Sequence, residues 1–399
     1  MTERLERLIE WQAHSKAHSG YQIHAIVHGF CQFLMGAGLP VCRVTIALAT
    51  LHPQIQALRY VWYDDDRDPG PFPAPTLFHR DIHHIHGCTI DEALMSHGAR
   101  GGPAYKRSPF YRLEQEGLDM LDFRLSVVSG NEFPILDELA AQGATHYVAY
   151  PLGGAEGQIS LATRACDGFG RADLMFLQQA ISSLALLLDC AVKELVLGTV
   201  LECYVGGLPS REILRGNIQP GTMLDLSGAI WFSDIRGFST HAQALPPSEF
   251  IASLNTYYEC VVPIIYRHGG EVLKFIGDAV LAIFADRGDG PQDACRRALA
   301  AAAAANKALL DREIVFDHGI GLHVGRFQFG NIGSLRRLDF TVIGNEVNVA
   351  ARIEAQCKVY QERVLMSQAF SDQCGQTARP VARVPLKGIE GEFSLFAPS

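Results

Sequence analysis

Beyond Asp225 the chain runs strand, helix, strand hairpin, helix, strand, and this βαββαβ order constrains its fold more than any other feature. The strands are LSGAIWFSDI, the hairpin EVLKFIGDAVLAIF, and IVFDHGIGLHVG; the helices are PPSEFIASLNTYYECVVPIIYRHGG and PQDACRRALAAAAAANKALLD, and further strand and helix pieces follow. In the first helix Phe250, Leu254, Tyr257, Val261 and Ile265 recur as one apolar stripe, the pattern of a helix that covers a sheet face. The expected architecture is an α+β, ferredoxin-like sheet in which the first strand and the hairpin lie side by side.

That arrangement bears on two carboxylates. Asp234 ends a strongly apolar strand, and Asp278 sits in the Gly277-Asp278 turn of the hairpin. Side by side, the two could converge on divalent ions accompanying a nucleoside triphosphate, because Mg²⁺ takes one or two carboxylates together with phosphate oxygens and water. For Asp278 alone, an Asp in a hairpin turn is equally a common local hydrogen-bonding choice. Further on, GNEVNVAAR places Asn348 and Arg352 four apart, which on a helix puts both on one face.

From about Asp225 to Phe396 the chain resembles the catalytic domain of class III adenylate/guanylate cyclases, through FSDIRGFS, GGEVLKFIGDAVLAIF and DFTVIGNEVNVAAR. The resemblance implies Asp234, the Ile235 carbonyl and Asp278 as ligands of two Mg²⁺ or Mn²⁺ ions per site, and the Gly237, Phe238 and Ser239 amides as a cradle for the terminal phosphates of ATP. It implies Lys274 and Thr341 as readers of the base, Asn348 as the residue that orients the ribose, and Arg352 as the cation that stabilises the α-phosphate. Lys387, in PLKGIEGEFSLF, corresponds to a lysine on the terminal phosphates, or is a strand-end surface lysine. Lys274 offers only donors and suits adenine N1, whereas the family's guanylate cyclases carry a carboxylate there. Thr341 replaces the Asp of many members; its hydroxyl can accept from the adenine amine but can also donate, and a Thr-bearing bacterial subset is linked to bicarbonate stimulation. The implied reaction is attack of the ribose 3′-oxygen on the α-phosphorus, giving 3′,5′-cyclic AMP and pyrophosphate. The family builds its sites at a head-to-tail dimer interface, and because one chain holds both residue sets a homodimer is implied. A guanylate or mixed-specificity cyclase, and a non-catalytic nucleotide-binding signalling domain, are the alternatives.

The preceding half is a different kind of unit. With 399 residues, 48% of them apolar, the chain is long enough for two domains, read as 1–172, a connecting helix and linker over 173–224, and 225–399. Ile23, Ile26, Val27, Phe30 and Leu34 mark a helix from Tyr21, stopped at Gly36 and Gly38; CRVTIALAT with ALRYVWY, then THYVAYPL with QISLATRA, read as paired strands. Between the pairs lies a long Pro/Gly/His-rich insert reaching about residue 144. This order resembles GAF-type sensor domains, which implies a small-molecule or ionic effector of unknown identity. The closing helix starts near Asp173 and carries Leu177, Ile181, Leu184, Leu188, Ala191, Leu195 and Gly198 at heptad-like steps, a seam whose second half is expected to face a partner chain. The Gly/Pro-dense run from Tyr204 to Pro220 marks the joint.

Within the insert, His79, His83, His84, His86 and Cys88 crowd FHRDIHHIHGC. None of the standard zinc spacings is met, and the reading favoured is a polar, Pro-flanked loop that accumulates histidines rather than a metal site. A net charge of −9 without basic runs argues against a nucleic-acid partner. The ten cysteines form no CxxC pair, MTERLERLIEWQ is not a secretory signal, and the apolar stretch from Leu174 to Leu201 is broken by Gln178, Gln179, Asp189, Lys193 and Glu194; a cytoplasmic chain without a membrane span is expected.

Overall fold

The structure is a computed structural model, and it describes residues 2–19, 22–70, 77–125, 131–153, 157–312, 314 and 316–399. Two compact units divide at Val200/Leu201. The first contains α1 (Thr2–Ser19), α2 (Ile23–Gly36), β1 (Arg43–Ala49), β2 (Ile55–Tyr63), β3 (Leu77–Ile85), β4 (Cys88–Ser96), α3 (Pro103–Lys106), α4 (Pro109–Glu116), β5 (Leu121–Arg124), α5 (Pro134–Ala141), β6 (His146–Leu152) and β7 (Gly157–Thr163). The long helix α6 (Arg171–Val205) closes it, and the boundary falls inside that helix.

Its seven strands form one sheet in the order β3-β4-β2-β1-β7-β6-β5, antiparallel throughout. Strand alternation divides its residues between two cores. Val44, Ile46 and Leu48 of β1 pack with Ile26, Val27, Phe30 and Leu34 of α2 and with Leu177, Leu184 and Leu188 of α6. On the other face Tyr147, Ala149 and Ala162 pack with Leu113 of α4 and Leu136 and Leu139 of α5. The helix read from Tyr21 is α2; Tyr21 itself lies outside the described residues, and a further helix, α1, precedes it. The insert is more structured than its composition suggests. Its described residues hold the β3–β4 hairpin, α3, α4, α5 and β5, and the histidine window is strand and tight turn rather than loop, because His79–Ile85 pair in continuous register with Cys88–Leu94. In α6 the buried seam ends at Ala191, and Leu195 and Leu197 remain exposed. Among the described residues no helix is long and apolar enough to cross a membrane.

The second unit contains α7 (Gly207–Leu214), β8 (Met223–Ile235), α8 (Phe238–Ala244), α9 (Pro247–Arg267), β9 (Glu271–Ile276), β10 (Ala279–Ala285), α10 (Pro291–Asp311), β11 (His318–Ser334), β12 (Arg337–Ile343), α11 (Asn345–Tyr360), β13 (Val364–Ser367), α12 (Gln368–Cys374), β14 (Ala378–Pro385) and β15 (Glu392–Pro398). The run from Tyr204 to Pro220 is therefore not plain linker; α7 occupies its middle. The eight-stranded sheet runs β14-β15-β13-β11-β8-β10-β9, with β12 paired to β11. Its central order β11-β8-β10-β9, all antiparallel, is the split βαβ arrangement that the sequence order implies. Helices α9 and α10 cover one face, where Tyr257, Val261, Ile265, Ala298 and Ala302 meet Trp231, Val280, Ala282 and Phe284.

Helix α11 is held differently. It crosses β11 where Gly319, Gly321 and Gly325 alternate on one face, so helix and strand backbones come into direct contact. A Cβ at Gly321 would stand 2.3 Å from the Ala350 carbonyl oxygen and 2.5 Å from the Glu354 nitrogen; one at Gly319 would stand 2.5 Å from a Glu354 carboxylate oxygen. His323, between Gly321 and Gly325, reaches Glu346 Oε2 from Nε2 at 2.5 Å and Ser367 Oγ from Nδ1 at 2.7 Å, pinning the first turn of the helix.

Gly321→Ala should destabilise the protein by about 1–3 kcal/mol or more, the cost of overpacking where the obstructing atoms are backbone. Thermal and chemical unfolding of the variant measure this; an unchanged midpoint would mean that α11 does not rest on the bare face of β11.

Candidate active site

Strand β8 delivers Asp234 one residue before its end, and register delivers Asp278. Val280 of β10 pairs with Ser233, and β9 and β10 are joined by the two-residue turn Gly277-Asp278, in which Gly277 takes a positive φ of 67°. A turn with φ > 0 at its first position needs glycine there and leaves the second free for Asp. The two half-buried carboxylates stand within hydrogen-bonding reach of each other. Burial first, then the Asp278 carboxyl, pushes Asp234 up to about 6. Glu354 on α11 belongs to the same neighbourhood: burial, then Asp234, pushes it up to about 7. Arg236 is committed elsewhere, to Asp317 Oδ2 at 2.9 Å and to the carbonyls of Cys357 and Glu362. A partly desolvated group of carboxylates, with no dedicated cation among the described residues, is a donor set that fits hard divalent ions.

The strand end is rigidly backed. Tyr257 donates from its hydroxyl to Nδ1 of buried His318 at 3.1 Å, and His318 Nε2 donates to Asn306 Oδ1 at 2.7 Å. Burial pushes His318 down to about 4, so the ring is neutral and consistent with that tautomer. Ile235 ends β8, with its amide donating to Asp234 Oδ1 at 3.1 Å. Gly237 then adopts the left-handed conformation, φ 68°, and its carbonyl accepts from Thr240 and His241 at the start of α8. The Phe238 ring is anchored against Phe250, while Ser239 is exposed. First-turn amides of a helix have no intrahelical acceptor, which leaves those of Phe238 and Ser239 available.

Lys274 lies on β9 beside a bulge, since Leu281 pairs with Lys274 but Ala282 pairs with Val272. Bulges re-aim side chains, and Lys274 donates from Nζ to Oδ2 of Asp339 on β12. Asp339 was not singled out in the sequence, although it stands two residues before Thr341 and so shares its face of the strand. Asn348 and Arg352 lie on the exposed side of α11, opposite buried Val349, Ala350, Ile353 and Cys357. Among the described residues no carboxylate comes within ion-pair range of Arg352. Lys387 occupies the exposed turn between β14 and β15. Of the expected site residues, one chain thus gathers Asp234, Ile235, Asp278 and the Gly237–Ser239 turn. Half-buried Lys274 and Thr341, exposed Asn348 and Arg352, and exposed Lys387 form separate groups, and among the described residues no hydrogen bond or ion pair joins them to the carboxylates.

The family model described as the adenylate and guanylate cyclase catalytic domain matches residues 227–395, the span that holds all of these groups. This half of the chain is a class III cyclase catalytic domain. The cyclase domain is 35% identical over 162 residues to an adenylate cyclase of Anabaena cylindrica, covering 38% of this chain and 32% of that protein. An alignment with adenylate cyclase 1 of Rhizobium meliloti gives 34% identity over 204 residues, 47% of this chain and 30% of the relative. The chain therefore spans about a third of the length of these relatives. The crystal structure of the adenylyl cyclase CyaB from P. aeruginosa superposes with a TM-score of 0.40 at 24% identity, over 44% of this chain and 94% of that one. Cyclases of this family generally use divalent metal ions, and the Asp234–Asp278 donor set suits them.

The electrostatics of this cyclase site set a sign for stability. Because the folded protein holds Asp234 well above the ordinary carboxylate value, ionising it costs stability at neutral pH, and the cost disappears as the pH falls below both its folded value of about 6 and its unfolded value of about 3.9. Asp234→Asn should therefore raise the melting temperature of chelator-treated protein at neutral pH, with a gap that closes on acidification, and should lose any rise that Mg²⁺ or Mn²⁺ gives the wild type. A lower melting temperature for the variant at neutral pH would contradict the shared burial of the two carboxylates.

Proposed function

We propose that the chain is an adenylate cyclase that converts ATP to 3′,5′-cyclic AMP and pyrophosphate at sites shared by a homodimer, using two Mg²⁺ or Mn²⁺ ions per site. The observation that carries this reading is the pair of half-buried carboxylates, Asp234 and Asp278, which no cation among the described residues pairs with. Ions bound by Asp234, Asp278 and the Ile235 carbonyl would acidify the ribose 3′-hydroxyl and neutralise the departing pyrophosphate. The chain's own residues do the positioning. The amides of Gly237, Phe238 and Ser239 hold the terminal phosphates, with Lys387 supplying a further cation, and backbone N–H groups in such a turn bind anions. Asn348 orients the ribose, and Arg352, which no carboxylate among the described residues pairs with, offers its planar fork to the α-phosphate as charge accumulates there. The 3′-oxygen attacks the α-phosphorus within one substrate molecule, so no protein nucleophile is required and orientation carries much of the rate.

Base selection falls to Lys274, Asp339 and Thr341. Lys274 donates to adenine N1, Asp339 holds its ammonium in place, and the Thr341 hydroxyl accepts from the N6 amine. Asp339 is also an acceptor that the N1 and N2 donors of guanine could meet, which makes GTP the competing substrate. Lys274→Glu should cut ATP turnover by more than about tenfold, because a donor exchanged for an acceptor leaves a polar edge unpaired. Chromatography of products from ATP and GTP reads this out; an unchanged ratio of the two rates would remove Lys274 from base recognition.

The dimer is supported by the separation of the residue groups within one chain and by exposed apolar residues: Leu335, 90% exposed at the tip of the β11–β12 hairpin, with Phe275, Ile276 and Ile343. Asp234→Ala and Arg352→Ala should each be nearly inactive. Mixed and allowed to exchange, they should recover about a quarter of wild-type activity, since about half of randomly paired dimers are mixed and each of those has one whole site. Differently tagged chains that co-purify yet remain inactive would refute the shared site. We assign the N-terminal unit as a GAF-like regulatory domain acting through α6, and the ten free cysteines support the reading of a cytoplasmic chain.

A further inference from the structure

The histidine window of β3 supplies one member of a cluster whose other members come from distant parts of the N-terminal unit. His83 Nε2 lies 2.9 Å from Glu92 Oε2, its diagonal neighbour on β4, and Nδ1 of His24 on α2 lies 3.8 Å from the same oxygen. The two imidazoles stack with centroids 4.3 Å apart and planes inclined by 13°. All three donor atoms fall within 4.8 Å of one another, and the side chains are 19–28% exposed, open enough for an ion to enter. We propose that His24, His83 and Glu92 bind one divalent first-row transition-metal ion, such as Zn²⁺ or Fe²⁺, between α2 and the β3–β4 hairpin.

Geometry favours this over a simple His–Glu pair. With metal–ligand bonds of about 2.0–2.1 Å, the donor atoms of a tetrahedral ion stand about 3.3 Å apart, and the distances of 2.9 and 3.8 Å fall on either side of that value. At 3.8 Å His24 makes no hydrogen bond to the carboxylate, so an ion would satisfy a nitrogen that the protein leaves short of contact. The carboxylate is oriented from behind, where the buried Tyr60 hydroxyl donates to Glu92 Oε1 at 2.9 Å and leaves Oε2 for the two rings. Such outer hydrogen bonds commonly fix the ligands of metal sites. Other nearby groups are engaged: His84 pairs with Asp66, His79 with Asp81, and His28 Nδ1 accepts from the Trp62 indole at 3.3 Å. Two imidazoles and one carboxylate with further positions open suit Zn²⁺ or Fe²⁺ rather than Mg²⁺ or Ca²⁺, which prefer all-oxygen shells.

The test uses the full chain, stripped with chelator and then held in saturating Mg²⁺ to occupy sites for hard ions, and titrated with Zn²⁺ or Co²⁺ by calorimetry and absorption spectroscopy. One ion per chain is expected, with a Co²⁺ spectrum of nitrogen and oxygen ligation. His24→Ala and His83→Ala should each weaken binding at least tenfold and Tyr60→Phe about tenfold, in the range of lost inner and outer ligands. Equal stoichiometry and affinity in the His24→Ala/His83→Ala double variant, or no saturable binding to folded wild type, would overturn the proposal. Where an alanine variant fails to fold, X-ray absorption on Zn²⁺-loaded wild type decides: two imidazoles in a nitrogen/oxygen shell support the site, and sulfur ligation or a shell without imidazole overturns it. Neither readout depends on cyclase activity.

Discussion

The cyclase half depends on one close approach, that of α11 to the bare face of β11. Side chains normally hold helix and sheet apart, but Gly321 has none, so the helix backbone at Ala350 and Glu354 rests on the strand there, while Gly319 and Gly325 leave room for the Glu354 and Glu346 side chains. The face that rests on β11 carries Glu354 beside the carboxylates at the end of β8, and the opposite face carries Asn348 and Arg352 toward solvent. The same strand pairs with β8 over most of its length, so the position of α11 and that of Asp234 are referred to one element.

Around that contact the site is built on tension between burial and charge. Asp234, Asp278 and Glu354 share a partly desolvated region, and the nearby guanidinium of Arg236 is spent on Asp317 and two carbonyls. Burial and the neighbouring carboxylates raise the proton affinity of Asp234 and Glu354, and a divalent ion relieves the repulsion as a proton does. Rigid backing keeps the strand end from relaxing away from this strain: Trp231, Tyr257 and Phe284 fill the core beneath it, and the Tyr257–His318–Asn306 chain is fully satisfied and neutral. The N-terminal cluster follows another logic. There two imidazole rings and one oriented carboxylate meet, a softer donor set than the oxygen-rich carboxylate site of the cyclase domain.

Much of the cyclase half was legible from local pattern. Period-two and helical spacing located β8 to β11 with α9 and α10, the Gly-Asp turn located Asp278, and a spacing of four placed Asn348 and Arg352 on one helix face, because each of these is a property of a short segment. The insert of the N-terminal half was less legible, since composition rich in Pro, Gly and His masked an edge hairpin whose alternation becomes apparent once β3 is paired with β4. Asp339 was within reach of the same strand alternation that carries Thr341, but only the bulge in β9 brings Lys274 to it.

By itself, the sequence determined the order of elements, the ferredoxin-like core and the chemistry available at each strand end and helix face. Tertiary structure decided which of those groups meet. Glu354 joins Asp234 across more than a hundred residues, Lys274 finds Asp339 on a strand that is not its sheet neighbour, and His83 meets His24 and Glu92 rather than the histidines beside it. The physical reason is that hydrophobic periodicity fixes the faces of a segment against its own axis, while the register between strands and the depth to which a helix sinks onto a sheet depend on volumes and backbone contacts contributed by both partners at once.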